Sequence, residues 1–293
     1  MWVQWYIVHI DVYMHAHTYA HDYVYIYVYV LIRGGLFMAI VVAVSNQKGG
    51  VAKTTTACAL ATGLAKRGYR VLMVDTDSQR NSTAVYRAET EGVATIHDLL
   101  FTRGIDPMIC VQRTEVGDII ASDSLMAKDD ANMNGVRESL ILKKALEPFM
   151  DLYDYIVLDH NPGQSGIMNN VLTAANDIII PMQTDTFSLD GVADLAERIN
   201  SIKEFTNREL KVAGIVITFY NSRTRSAKAF LDEKDVLGKV FDTKVFDAKI
   251  RRCQALSDAN NRRMSIFDYD PSGNGAVDYN AMIDEYLEVR RGE

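Results

Sequence analysis

The stretch Asn46-Gln47-Lys48-Gly49-Gly50-Val51-Ala52-Lys53-Thr54-Thr55-Thr56 decides the fold. An apolar run rich in β-branched residues, 39–44, precedes it and predicts a buried strand. Residues 54–66 follow with apolar side chains at helical spacing, which predicts a helix. Two adjacent glycines therefore lie at a strand-to-helix turn, where the backbone can approach a ligand and the first N–H groups of the helix point at an anion. This arrangement predicts a phosphate-binding loop.

The side chains of the loop fit the same interpretation. Lys53 would reach the β- and γ-phosphates of a nucleotide, and the Thr54 hydroxyl would bind Mg²⁺. The literal pattern Gly-x4-Gly-Lys-Ser/Thr is not met, because Gln47 and Ala52 stand where that pattern has glycine. A plain glycine-rich turn is the alternative, and the flanking strand and helix argue against it.

What the loop does match is a variant. Lys48-Gly49-Gly50-x-x-Lys53-Thr54 resembles the deviant Walker A box of the ParA/MinD family of P-loop ATPases. The resemblance implies that ATP and Mg²⁺ bind this loop and that Lys48 reaches the phosphates of the other subunit in an ATP-sandwiched homodimer. Lys48 and Lys53 are then catalytic, since cations stabilise phosphate charge. The nucleotide-binding residues implied in the loop are Lys48, Gly49, Gly50, Val51, Ala52, Lys53, Thr54 and Thr55.

Ala52 departs from the family box, which has glycine at this position. Its backbone N–H remains available, so we expect phosphate binding to survive. If φ at this residue is positive, alanine costs about 1 kcal/mol or more. The effect on hydrolysis stays open.

Two further apolar runs, residues 70–75 and 155–159, end in aspartate. They predict buried strands with Asp75 and Asp159 at the sheet edge where ligands bind in open α/β folds. The family resemblance implies that Asp77 orients or activates the attacking water, that Asp75 supports the magnesium shell and that Asp159 holds Mg²⁺, as in a Walker B strand. The alternative for Asp75 and Asp77 is that they only cap the next helix.

Two more residues follow predicted strands. His160 opens the loop 160–163, which replaces the Pro-Pro sequence of the family. It is either a titrating neighbour of the γ-phosphate or a solvated loop residue, and we favour the solvated residue. Asn221 follows the run 212–220, which predicts another strand, and the resemblance implies that this asparagine reads adenine.

The front of the chain differs from the rest. Residues 1–37 hold seven of the fifteen tyrosines and four of the six histidines. They lack both the basic start of a secretory signal and the length of apolar sequence that spans a membrane. Their histidines have no companion metal ligands. We therefore expect a protein that begins at Met38, with a low-complexity extension at 1–37 outside the fold and one domain at 38–293.

Composition narrows the class of protein. The chain is 48% hydrophobic and 24% charged, which is ordinary for one large α/β domain. Cys58, Cys110 and Cys253 are far apart and form no Cys-x-x-Cys pair, so they predict reduced thiols without a metal site. An iron–sulfur reductase of the nitrogenase iron-protein branch shares the Lys48 box, yet it needs paired cluster cysteines and is the weaker alternative.

Basic residues gather in the last third of a chain whose net charge is −7. Residues 221–225 and 249–252 resemble segments of ParA-type proteins that contact DNA non-specifically, which implies backbone contacts by Arg223, Arg225, Arg251 and Arg252. A solvated basic surface is the alternative. The end of the chain, 277–293, is largely acidic, which predicts no docking on membranes.

These observations predict a doubly wound, mainly parallel α/β sheet flanked by helices. Helices are also expected at 95–101, 137–150 and 187–205, and strands at 117–120 and 178–182. The expected function is that of a ParA-type partition ATPase at the bacterial nucleoid in the cytoplasm. ATP closes a homodimer, the dimer holds non-specific DNA, and a small DNA-binding partition partner stimulates slow hydrolysis and release. A nucleotide-binding regulatory switch with little or no hydrolysis is the alternative.

Overall fold

The computed structural model describes residues 38–130, 133, 135, 137–163, 166–184 and 189–292. The extension expected at 1–37 lies outside the described residues. Eight strands form one sheet: β1 (Ile40–Val44), β2 (Val71–Asp75), β3 (Val111–Arg113), β4 (Asp118–Ile120), β5 (Tyr155–Asp159), β6 (Asp177–Gln183), β7 (Lys211–Tyr220) and β8 (Val245–Arg251). Their order is β3-β4-β2-β5-β1-β6-β7-β8, and the neighbouring strands run parallel except for β3 and β4. The predicted fold class is confirmed.

Helices connect the strands. They are α1 (Lys53–Lys66), α2 (Asn81–Val85), α3 (Ile96–Phe101), α4 (Met126–Asp130), α5 (Ile141–Leu146), α6 (Gly166–Ala174), α7 (Leu189–Phe205), α8 (Arg225–Phe241), α9 (Gln254–Asn261), α10 (Ile266–Tyr269) and α11 (Asn274–Arg291). Short 3₁₀ helices span Pro107–Cys110, Glu138–Leu140 and Glu147–Phe149. Both faces of the sheet are covered, because parallel strands joined by helices bury apolar side chains on each side.

The two faces have separate hydrophobic cores. On one face, α1 and α11 pack against the sheet through residues such as Leu60 and Tyr279. On the other face, α5, α6, α7 and α8 pack through residues such as Leu142, Leu172 and Phe230. The central strands are therefore buried on both sides, as their uninterrupted apolar runs predict.

One predicted helix differs in detail. Residues 137–150 were expected to form one helix, whereas the structure has α5 flanked by 3₁₀ turns on both sides. Pro148 lies in the second turn and has no N–H to continue an α-helical hydrogen-bond ladder, which explains the break there. The start of the helix expected at 187 lies outside the described residues, and α7 begins at Leu189.

The edge strand β8 is covered by carboxylates of α11. Glu285 accepts hydrogen bonds from the backbone N–H groups of Asp247 at 2.9 Å and Ala248 at 2.5 Å. Asp278 accepts one from the backbone N–H of Arg251 at 2.8 Å. Backbone donors at a sheet edge otherwise invite pairing with another chain.

Candidate nucleotide-binding site

The phosphate loop lies between the end of β1 and the start of α1, at the carboxyl edge of the sheet. Gly50 has a φ of 75° and Ala52 has a φ of 65°, so the backbone at both residues adopts a left-handed conformation. The Ala52 carbonyl accepts the N–H of Thr56 at 2.9 Å, which starts the hydrogen-bond ladder of α1. Because the φ of Ala52 is positive, the energetic cost that we expect for alanine in this case applies. Its Cβ strains the left-handed backbone conformation.

Side chains from distant strands anchor the loop. Asn46 donates through Nδ2 to the carbonyl of Pro181 in β6 at 2.8 Å. Thr218 of β7 donates to the carbonyl of Val51 at 3.2 Å. Sequence reasoning missed both anchors, since partners more than a hundred residues apart give no local signal.

Lys53 lies at the head of the loop and is 6% exposed. Its Nζ donates to the carbonyl of Lys48 at 2.7 Å. Burial lowers the pKa of Lys53 to about 8, against the opposing attraction of the Asp159 and Asp77 carboxylates. Burial disfavours the charged form of the Lys53 side chain, and an anion bound beside it would stabilise that form.

Asp159 ends β5 and is fully buried. Its Oδ2 accepts the hydroxyl of Ser82, whereas its Oδ1 has no hydrogen-bond partner among the described residues. Burial raises the pKa of Asp159 to about 6, and the neighbouring Ser82 and Thr54 hydroxyls act in the opposite direction. A buried carboxylate oxygen without a donor suits a cation.

Asp75 is the register partner of Asp159 in the pairing of β2 with β5. Its Oδ1 accepts the N–H of Asp77 at 2.9 Å, and its Oδ2 accepts the N–H and the hydroxyl of Thr83, each at 2.8 Å. Burial and the charge of Asp159 raise the pKa of Asp75 to about 7. Asp75 thus caps α2 with an oxygen, as the alternative from the sequence had it, and its part in a magnesium shell stays a prediction.

Asp77 lies two residues beyond β2 and is 4% exposed. Its Oδ1 accepts the N–H of Gln79 at 2.9 Å. Burial raises its pKa, while the hydrogen bond from Gln79 and the charge of Lys53 lower it. The structure brings Asp77 near Lys53, and its proposed action on water stays a prediction.

The donor set fits magnesium bound together with a nucleotide. Within the described ranges, no three His, Cys, Asp or Glu side chains converge on a site that could hold a metal by themselves. Mg²⁺ commonly takes one or two protein ligands and completes its shell with phosphate oxygens and waters. Thr54 and the unpartnered oxygen of Asp159 supply such a pair.

His160 corrects the sequence-based interpretation, since the favoured solvated loop residue is wrong. The side chain is 1% exposed, with Nδ1 at 2.6 Å from the carbonyl of Asn161 and Nε2 at 3.0 Å from the hydroxyl of Ser45. Because a carbonyl only accepts, Nδ1 carries the proton and Nε2 accepts from Ser45. Burial, with the charge of Lys53, lowers the pKa of His160 to about 4, so the ring is neutral at physiological pH. The turn at Asn161 folds the ring inward, which the loop composition did not reveal.

The predicted adenine and DNA residues lie at the ends of β7 and β8. Asn221 is exposed, and its Oδ1 accepts the N–H of Arg223 at 3.1 Å in the turn before α8. The side chains of Arg223, Arg225 and Arg252 are exposed. Arg251 differs because it is engaged by Asp278, with Nη2 at 2.6 Å from Oδ1.

Cys58, Cys110 and Cys253 are free thiols, and burial raises the pKa of Cys110 to about 11. Cys110 is fully buried in the core, which does not suit an exposed cluster ligand. In the part of the chain that the structure describes, no helix is long and apolar enough to cross a membrane.

The glycine loop joins the central strand β1 to helix α1, and the neighbouring strand β5 ends in Asp159. This arrangement defines a P-loop nucleotide-binding protein. Comparison with known proteins narrows this class. A family model described as an AAA domain matches residues 39–212. The sporulation initiation inhibitor protein Soj of Bacillus subtilis is 32% identical over 246 residues, which cover 83% of this chain and 96% of Soj. The chromosome partitioning protein ParA of Caulobacter vibrioides is 33% identical over 258 residues, covering 86% and 95%. The chain belongs to the ParA/Soj family of partition ATPases.

A solved structure agrees with this assignment of the fold. Cobyrinic acid a,c-diamide synthase from Mycobacterium smegmatis with bound ADP and magnesium is similar with a TM-score of 0.73 and 29% identity. The similarity covers 87% of this chain and 97% of that protein. The relatives Soj and ParA confirm the resemblance inferred from the Lys48 box.

Proposed function

We propose that this protein is a partition ATPase that binds ATP with Mg²⁺, dimerises around the nucleotide and uses hydrolysis to release DNA. One observation carries the proposal. Asp159 has a buried carboxylate oxygen without a hydrogen-bond partner, and its charge interacts with the buried ammonium of Lys53. That pair suits a metal ion and an anion side by side. The relatives named for chromosome partitioning, and the one solved with ADP and magnesium, support the choice of ligands.

The loop would hold the phosphates through its backbone N–H groups from Lys48 to Thr55, with Lys53 beside them. Thr54 and Asp159 would hold magnesium, which bridges phosphate oxygens and neutralises their charge. Asp77 would orient the attacking water, because its second carboxylate oxygen is not used by Gln79. Its raised pKa improves its ability to accept a proton.

Lys48 would complete the site of a second subunit. Its side chain is exposed at the tip of the loop, while its carbonyl is the acceptor for Lys53. A cation supplied across a dimer makes charge stabilisation depend on pairing of the two subunits. Hydrolysis is then slow in the monomer and rises when a partition partner stabilises the dimer.

DNA would bind at the exposed arginines beyond β7 and β8. Arg223, Arg225 and Arg252 lie at one edge of the sheet, since Tyr220 and Arg251 are register partners at the ends of these strands. Contacts of this kind are made to phosphates and do not read sequence. Arg251 would first have to release Asp278, so we expect it to contribute less than Arg252.

The test is ATP turnover by the full chain with magnesium, with and without DNA. We expect turnover that is lost in Lys48→Ala together with nucleotide-driven dimerisation, measured by light scattering. Lys239→Ala, which removes an exposed lysine of α8, is the control and should behave like the unsubstituted protein. Nucleotide binding without turnover under every condition would favour the regulatory switch, to which the strained Ala52 gives some support. Absence of nucleotide binding would overturn both functions.

A further inference from the structure

Helix α1 is tied to the end of the chain by a row of hydroxyl groups. The hydroxyls of Thr56 and Thr62 meet the hydroxyls of Tyr279 at 3.1 Å and Ser265 at 3.2 Å. The third member of the row, Thr55, accepts a hydrogen bond from Nδ2 of Asn260 at 3.1 Å. The helix that carries the phosphate loop is therefore bonded to three separate segments of the C-terminal region.

Packing makes this tie rigid. Gly63 of α1 faces Ile283 of α11 and Phe267 of α10 so closely that a methyl group at Gly63 would clash with Ile283. Close-packed surfaces of this kind transmit displacement and do not absorb it. A shift of α1 would consequently move the segments that contact it.

Thr55 is the member of the row that belongs to the phosphate loop. A hydroxyl has one proton to donate and two lone pairs to accept with. Because the Asn260 amide N–H occupies one lone pair of the Thr55 oxygen, Thr55 keeps its own proton for donation to another acceptor. In a loop that binds phosphate, a phosphate oxygen would be such an acceptor.

Asn260 also lies on the helix that separates the basic residues of the C-terminal region. Helix α9 spans Gln254–Asn261, with Arg251 and Arg252 before it and Arg262 and Arg263 after it. These four side chains are exposed to solvent at the two ends of α9. The bond to Thr55 thus fixes the second arginine pair relative to the phosphate loop.

We propose that Asn260 is a positioning residue which orients the Thr55 hydroxyl toward a nucleotide phosphate and couples α9, with its flanking arginines, to occupancy of the loop. This inference rests on the proposed function, because it requires a nucleotide in the loop and DNA at the arginines. It assigns Asn260 a role in coupling these two ligands, besides its contact to a neighbouring helix.

A double-mutant cycle tests the orientation of Thr55. The affinity of the full chain for a non-hydrolysable ATP analogue with magnesium is measured for Asn260→Ala, Thr55→Val and the double variant. We expect Asn260→Ala to weaken binding about tenfold, as for a hydrogen bond to a charged group, and to have no further effect once Thr55 is valine. Asn260→Asp should weaken binding more, since a carboxylate takes the Thr55 proton and adds negative charge near the phosphates.

Asn261→Ala is the matched control, because the neighbouring asparagine is exposed and lies on the same helix. Each variant is also melted without nucleotide, so that a loss of folding is detected directly. Additive effects of Asn260→Ala and Thr55→Val, or equal affinities for the Asn260→Ala and Asn261→Ala variants, would overturn the orientation. If the unsubstituted protein binds no nucleotide, the proposed function itself has failed.

The coupling to α9 has its own readout. DNA retention is measured at saturating analogue, where a weaker nucleotide affinity no longer matters. Retention of non-specific DNA by Asn260→Ala should fall about threefold or more, while Asn261→Ala retains DNA normally. Unchanged retention by Asn260→Ala at saturation would overturn the coupling and leave only the orientation of Thr55.

Discussion

Ala52 allows a direct test of backbone strain in the phosphate loop. Its φ of 65° and ψ of 32° are left-handed, and an L-residue other than glycine pays about 1–2 kcal/mol for that conformation. Glycine would remove this cost and add about 0.5–1 kcal/mol of unfolded-state entropy. We therefore expect Ala52→Gly to raise the free energy of unfolding by about 0.5–1 kcal/mol, which corresponds to about 1–3 °C in Tm for a domain of this size.

Gly50 supplies the matched control for that substitution. It has a φ of 75°, and a methyl group added there would contact nothing within 4 Å, so Gly50→Ala changes the backbone cost alone. By the same two terms we expect it to lower the free energy of unfolding by about 0.5–1 kcal/mol. Both variants are unfolded in urea without nucleotide, and their m-values should stay equal to that of the unsubstituted protein.

The sign of the change in unfolding free energy on Ala52→Gly shows whether Ala52 is strained. A lower Tm for Ala52→Gly, or no change, would refute the inference that Ala52 is strained. Nucleotide affinity should change little in Ala52→Gly, because the backbone N–H is the same donor before and after the substitution. A gain in turnover without a gain in affinity would connect the strain to the hydrolysis step.

Three further outcomes are expected. Asp159→Asn should raise the free energy of unfolding by about 1–2 kcal/mol near pH 8 and by much less near pH 4, because a carboxyl whose pKa is raised on folding from 3.8 to about 6 loses stability progressively as pH rises from the lower value through the higher one. Urea unfolding at the two pH values checks this, and the variant should lose magnesium-dependent nucleotide binding; equal gains at both pH values would contradict it. Lys48→Ala should keep monomeric nucleotide binding within about threefold and lose dimer formation, measured by titration and light scattering; a stable dimer would remove the proposed trans contact. Arg252→Ala should weaken ATP-dependent DNA retention and flatten its salt slope by about one, with Arg251→Ala weaker in effect because Asp278 already holds that side chain; equal salt slopes would exclude this edge as the DNA contact.

Much of the site could be predicted because its signals are local. Strand, glycine loop and helix follow one another within thirty residues. Each apolar run that ends in an aspartate, such as the run ending in Asp159, indicates by itself which carboxylate lies at the end of the strand. The register of β2 with β5, which sets Asp75 beside Asp159, is known only from the structure, because assigning both runs to one parallel sheet fixes neither their adjacency nor their alignment.

The rest depends on contacts between distant residues. Ser82 bonds Asp159 across 77 positions and Thr218 bonds the loop across 167, and nothing near either residue in the sequence marks it. His160 was misinterpreted because exposure of a loop residue depends on how the turn folds. The sequence did not predict strand β8, because its buried residues are separated by exposed and half-buried ones. The central strands, by contrast, are continuous apolar runs.

The carboxylates of α11 along β8 have a consequence for assembly. With amide hydrogens of Asp247, Ala248 and Arg251 already taken by Glu285 and Asp278, this margin of the sheet is poorly suited to accept a strand from a neighbouring molecule. Neighbouring copies of the chain are thus hindered from extending the sheet at β8 into continuous β-structure.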